Sequence, residues 1–190
     1  SISPGETSSF TFSYNAENYT INSYQVPSEI GTIQAAVDAA MQTNFDAAMN
    51  LIDNDNYNAE SNNLYYFFTG DTIMVAPGTY TENIYFNDKS INLIATDGDP
   101  ASTILDGNNN GKVIYSDGSG LFTLKGFTIQ HGFNEDGSGH AGAGVLLNGD
   151  AIANITNNII KNNNVGENGY GAGLYSRNGT GTVSRNIFIN

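Results

Sequence analysis

Hydrophobic and polar positions alternate with one period at the start of the chain, switch to another near residue 28, and return to the first after residue 53. Phe10, Phe12 and Tyr14 alternate with Ser9, Thr11 and Ser13, the period-2 signature of a strand with two unlike faces. Residues 15–18 read as a turn and 19–26 as a second strand, so the first segment predicts a hairpin or two added strands. The period then lengthens. Ile33, Ala36, Val37, Ala40, Met41, Phe45, Ala48, Met49 and Ile52 recur at i, i+3/i+4 spacing, the apolar stripe of a helix. Thr32 is its N-cap, and the pattern carries it toward Asp53 with a break near Thr43 and Asn44. A polar loop over 54–63 and a short aromatic strand over 64–68 follow.

From Gly70 onward the pattern is short strands and turns. It predicts strands over 71–76, 80–86, 90–96, 102–105, 113–116, 121–124, 127–130, 145–147, 152–155, 159–161, 174–176 and 187–189. These lie too close together for intervening helices. A long-period repeat decides between hairpins and coils. Gly142-Ala143-Gly144-Val145 returns 29 residues later as Gly171-Ala172-Gly173-Leu174. The stretch 155–162 returns 28 residues later as 183–190, aligning Asn158 with Asn186 and Asn162 with Asn190, with His131 in that second column one coil earlier. Hairpin proteins need no such period, whereas a solenoid does. Stacked asparagines at coil corners are expected to hydrogen-bond along the solenoid.

Residues 70–84, beginning Gly70-Asp71-Thr72 and passing through Ala76-Pro77-Gly78-Thr79-Tyr80, resemble the opening coil of right-handed parallel β-helix repeat proteins of the pectate-lyase-like superfamily. The helix around 32–40, the stretches 103–107 and 124–130, and the two Gly-x-Gly coils continue the likeness over roughly residues 30–190. The resemblance implies an all-β, right-handed parallel β-helix (a solenoid) with an N-terminal capping helix, preceded here by a β-strand N-terminal extension. Three segments follow: 1–27 as the extension, expected to donate a strand to another copy; 28–69 as capping helix, loop and aromatic strand; 70–190 as the coils. The chain departs from the pattern in its long insertion at 42–69 and in stopping in mid-repeat at Asn190.

Composition narrows the function. The 190 residues include 22 glycines and no cysteine, so tight turns and repetition stabilise the chain in place of disulfides. A net charge of −13 with only six basic residues argues against nucleic acid and against anionic membranes. No apolar run approaches the ~20 residues of a membrane-spanning helix. Ser1 opens the chain with no signal-like stretch, which suggests a removed leader or a trimmed segment.

Candidate chemistry is sparse. The resemblance implies, for a lyase, an acid cluster holding a cation and a nearby basic residue, but Arg177, Arg185 and Asp150 lack a matching motif. Asp106, Asp117, Asp136 and Asp150 stand in turn contexts, and turn formation accounts for them without an acid–base pair. His131 and His140 have no partner at metal-binding spacing. No cofactor is required. Asp53 and Asp55 in one loop, and Asp97 and Asp99 in another, offer oxygen ligands suited to Ca2+, although neither loop meets the EF-hand pattern. Asn18 and Asn178 head glycosylation acceptor triplets expected in turns, and Asn154 heads a third.

The ends carry the strongest expectation. Phe10, Phe12, Tyr14, Tyr19 and Ile21 at one end, and Ile187, Phe188 and Ile189 at the other, would present strand edges and apolar surface. The sequence therefore predicts a non-catalytic, extracellular or cell-surface structural protein that self-associates head to tail into a filament. The alternatives are a carbohydrate-binding or polysaccharide-degrading β-helix and a surface adhesin module.

Overall fold

The computed structural model describes residues 8–14, 17–40, 70–118, 120–134 and 141–189. In chain order its elements are strands β1 (Ser8–Tyr14) and β2 (Glu17–Val26), helix α1 (Ile33–Ala39), then β3 (Asp71–Val75), β4 (Gly78–Thr81), β5 (Ile84–Tyr85) and β6 (Ile91–Ala95). They continue as β7 (Thr103–Asp106), β8 (Ile114–Asp117), β9 (Leu121–Lys125), β10 (Thr128–Gln130), β11 (Val145–Asn148) and β12 (Ile152–Thr156). The last are β13 (Ile159–Lys161), β14 (Leu174–Arg177), β15 (Thr180–Ser184) and β16 (Ile187–Ile189).

Every third strand from β3 onward pairs in parallel, and the chain winds as a right-handed parallel β-helix with three faces. Sheet A runs β1-β2-β3-β6-β9-β12-β15, sheet B β16-β13-β10-β7-β4, and sheet C β14-β11-β8-β5. Coil length is visible in the bonds between coils: Asn158 reaches Phe127 across 31 residues, and Asn186 reaches Asn158 across 28. Strand β2 is already part of the solenoid, parallel to β3, with Val26 in the core; β1 then folds back antiparallel on its outer edge.

One residue per strand builds each column of the core. Ile73, Leu93, Leu124 and Ile155 stack inside sheet A, with Val183 next in register. Leu105, Ile129 and Ile160 stack inside sheet B, continued by Phe188. Ile84, Ile114 and Val145 stack inside sheet C, continued by Leu174. Phe86 and Phe122 add an edge-to-face pair at 5.1 Å. Each column is a short hydrophobic wire at strand spacing, so the core is continuous from α1 to the last coil.

The corners explain the glycine and asparagine content. Gly126, Asn157 and Arg185 share one corner column at φ 88, 57 and 56°; His131 and Asn162 share another, both at 53°. Left-handed backbone at these places favours Gly and Asn. Gly132 is fixed for a different reason: a Cβ there would collide with the carbonyl oxygen of Ala143.

Helix α1 is shorter than its sequence pattern. Thr32 caps it as expected, accepting a bond from the Ala35 N–H at 3.1 Å, but Ala40 is extended and ends it. The reason comes from the solenoid. Lys89 Nζ donates to the carbonyls of Val37 (2.8 Å), Asp38 (2.7 Å) and Ala40 (3.0 Å), taking acceptors that a longer helix would use. The expected continuation toward Asp53 and the strand over 64–68 lie outside the described residues. The sequence also merged β4 and β5 into one strand over 80–86 and omitted β15, whose Thr180, Gly181 and Thr182 carry no apolar alternation.

Candidate functional site

The most distinctive surface is the last described coil. Val183, Ile187, Phe188 and Ile189 are 52%, 55%, 52% and 51% exposed, whereas Leu124, Thr128 and Ile129, which stand two coils earlier in the columns of the first three, are buried. The three apolar residues of β16 do not act alike. Phe188 continues the core column above Ile160, while Ile187 and Ile189 stand on the outer face of sheet B above Ile159 and Lys161. The reason is strand alternation, which sends neighbouring residues to opposite faces. The open core is therefore Leu174, Val183 and Phe188, one residue from each sheet. Leu174 and Val183 were missed as interface residues, although their place in the repeat could have identified them. A recess of about 230 Å3, lined by Ile160, Asn163, Ala172, Gly173, Phe188 and Ile189, opens at this end.

The opposite end is built differently. Helix α1 covers the first coil through Ile33, Ala36 and Val37. Glu82 accepts the N–H groups of Ile33 (3.1 Å) and Gln34 (3.0 Å), so one carboxylate and the Lys89 ammonium hold the two helix ends. Beside the helix, sheet A projects β2 and β1. The hairpin places Phe10 opposite Ile21, Phe12 opposite Tyr19 and Tyr14 opposite Glu17. Buried Asp71 ties β2 to the coil, accepting the Asn22 N–H at 2.8 Å. Burial, and then the charge and hydrogen bond of Asp71, push the Tyr24 hydroxyl above its ordinary pKa. The two sets of predicted interface residues thus sit at opposite ends of the solenoid, on its first and last coils.

Asparagine ladders join the coils between these ends. Asn158 Oδ1 accepts the Phe127 N–H at 3.0 Å, and its Nδ2 donates to the Leu124 carbonyl and to Asn186 Oδ1, each at 3.0 Å. Asn186 repeats the motif one coil on, accepting the Asn158 N–H and donating to the Ile155 carbonyl at 2.8 Å. Asn163 makes the same pair of bonds at another corner, accepting from the Gly132 N–H and donating to the Ile129 carbonyl.

The remaining candidate residues are placed as follows. His131 Nδ1 lies 2.9 Å from Asp106 Oδ2, and Gln130 Nε2 donates to the same oxygen at 2.9 Å. Since a carboxylate only accepts, Nδ1 carries the proton. Burial works to raise the Asp106 pKa, but bonds from Gln130, the Asn108 N–H and His131 outweigh it and hold the carboxyl below its usual range. Asp97 and Asp99 serve their own turn: Asp97 accepts from the Asp99 N–H and the Ser102 hydroxyl, and Asp99 from the Ala101 N–H. Asp53, Asp55 and His140 lie outside the described residues. Among the described residues no three His, Cys, Asp or Glu side chains gather as a metal site.

Arg177 ends β14 and Arg185 follows β15, with a whole strand between them. Asn178 is an exposed left-handed corner at φ 66°. Asn18 lies within β2, paired with Ser13, and not in the turn expected of it. Asn154 faces outward from the middle of β12. No helix among the described residues is long and apolar enough to cross a membrane. No family model matches the chain, and no curated protein or solved structure matches it.

Proposed function

We propose that this chain is a non-catalytic structural β-solenoid of the pectate-lyase-like kind, displayed outside the cell, whose coils associate end to end with a second copy. The observation that carries this reading is the apolar face of the last described coil: Val183 and Phe188, with half-buried Leu174, extend the three core columns to a face that no described residue covers. Exposed apolar area of this kind marks an interaction face.

The partner we assign is the hairpin end of another copy. Strands β1 and β15 are the two outer edges of the same seven-stranded sheet. Because β1 runs antiparallel to the other strands of sheet A, adding β1 of one copy to β15 of the next would continue that sheet through an antiparallel ladder. The contact is heterologous, so its repetition gives a filament when it does not close.

Sedimentation and electron microscopy over a concentration series test the proposal. Oligomers or filaments are expected, and both Phe188→Asp and removal of residues 1–14 should dissolve them. Monomers at all concentrations, or filaments indifferent to both changes, would sink it.

A further inference from the structure

We infer that the last described coil selects its neighbour by charge: Arg177 and Arg185 on its rim pair with the acidic lid end of a second copy, where Asp38 of α1 faces outward, and this pairing fixes the stacking as head to tail. The inference rests on the end-to-end reading above and names the surface and the residues that choose the partner's orientation. Charge is ordered along the chain. No Lys or Arg precedes Lys89, and no Asp or Glu follows Glu167. A solenoid lays its sequence out along its axis, so this order becomes a polarity in space, acidic at the α1 end and basic at β14 to β16.

At the basic end Arg177 closes β14 and Arg185 follows β15, so the two flank the strand at the outer edge of sheet A. Both are exposed. Among the described residues neither guanidinium has an ion-pair or hydrogen-bond partner. Arg177 stands in register above Asn148, which separates it from Asp117 one coil further back. Arg185 stands above Asn157 and Gly126, which carry no charge. The cations thus border the open core at Val183 and Phe188 with no acid of their own coil beside them.

At the other end α1 turns Ile33, Ala36 and Val37 inward and leaves Thr32, Ala35, Asp38 and Ala39 exposed. Asp38 Oδ1 accepts from Gln34 Nε2 at 2.8 Å, which holds the carboxylate on that outer face. Lys89 lies near, but its ammonium is committed to the carbonyls of Val37, Asp38 and Ala40. The spacing suits a contact. With β1 of the next copy added to β15, three strand spacings, about 14 Å, separate β15 from that copy's β3. A helix about 10 Å across lies between them, and small outward side chains such as Ala35 and Ala39 let it approach the coil. Two basic ends brought together would instead set Arg177 and Arg185 against their own copies, and like charges at a contact select against that pairing.

Sedimentation velocity of the full chain over a concentration series tests this at about 0.15 M salt, where the Debye length is about 8 Å and the net −13 is largely screened between copies. Arg177→Glu with Arg185→Glu should weaken association by about tenfold or more, and Asp38→Lys likewise. An equimolar mixture of these two variants should recover it, since each reversed end then meets its complement. Lys125→Glu, on the flank at β9, changes net charge as much as Arg177→Glu and should leave association unchanged. Circular dichroism reports the fold; Arg177→Glu alone, and Asp38→Asn, which keeps an acceptor for Gln34, serve should a reversed variant unfold. Association indifferent to the reversals, an equal loss in Lys125→Glu, a loss on the arginine side alone, or a mixture that stays dissociated would overturn the charge pairing and leave the apolar contact standing. Monomeric wild type at every concentration would remove the end-to-end reading and this inference with it.

Discussion

Asn158 concentrates the residue-scale logic of the solenoid. Its amide is almost fully buried and bonds to the coil before it and the coil after it. Removing it would orphan the Phe127 N–H and the Leu124 carbonyl in the interior, where unpaired groups cost more than a bond contributes. Asn158→Ala should therefore lower unfolding free energy by about 3 kcal/mol, measured by urea titration, while Asn154→Ala on the outer face of the preceding strand β12 should be near neutral. Asp106 sets a second residue-scale expectation. Its carboxyl is held below the ordinary value by Gln130, Asn108 and His131, so the folded state favours the ionised form. That contribution is complete above the unfolded carboxylate pKa and is lost as pH falls through the lowered folded value. Thermal scans of wild type and Asp106→Asn should converge below about pH 4 and separate above it; a constant gap down to pH 2 would show that the clasp is not ionic. The alignment of Asn158 with Asn186 was legible in the sequence because repetition itself displays it. The Asp106–His131 contact was not, since Asp106 had a sufficient local explanation as a turn residue and nothing local marks a bond across 25 residues.

At the scale of one element, α1 shows why a helix of seven residues persists. An isolated helix this short is unstable in water, so its ends and its buried face must be held by the rest of the molecule. Ile33, Ala36 and Val37 supply the face, Glu82 the N-terminal acceptor and Lys89 the C-terminal donor. These charges also oppose the helix dipole with the correct signs at both ends. Lys89→Met keeps the stem but removes three charge-assisted bonds, and should cost about 2 kcal/mol, read as a lower melting temperature with loss of amide protection across 33–39. An unaltered melt would mean that packing alone holds the helix. The Thr32 cap and the apolar stripe were readable because both are local. The end of the helix was not, because the stripe runs on past Ala40 and the residue that stops it sits 49 positions away on another coil. The same distinction separates the strands that were found from β15. Those have apolar inward positions, whereas the Thr180-Gly181-Thr182 start of β15 is held by register to β12.

At the scale of the whole solenoid, the described coils are expected to differ in stability, and the difference can be measured. In a solenoid each coil is stabilised mainly by its neighbours, so a coil with one neighbour opens before a coil with two. Helix α1 and β2 cover the first coil, but β14, β15 and β16 have a partner on one side only among the described residues. Amide exchange in dilute solution should therefore be fastest in β15 and β16, intermediate in β12 and β13, and slowest in β6 and β9, where strands pair on both edges. Under the proposed end-to-end contact, a second copy on this face would supply a neighbour and stabilise it by mass action. Raising protein concentration should then slow exchange in β15 and β16 selectively, and slow it in β1 as well if the hairpin end is the occupant. Phe188→Asp should restore fast exchange at β15 and β16 at high concentration without altering β6 or β9. Exchange that is graded along the axis yet blind to concentration would keep the solenoid physics and remove the end-to-end contact. Exchange that slows at β15 and β16 but not at β1 would point to a contact between two like ends, in which the apolar coil meets its own copy.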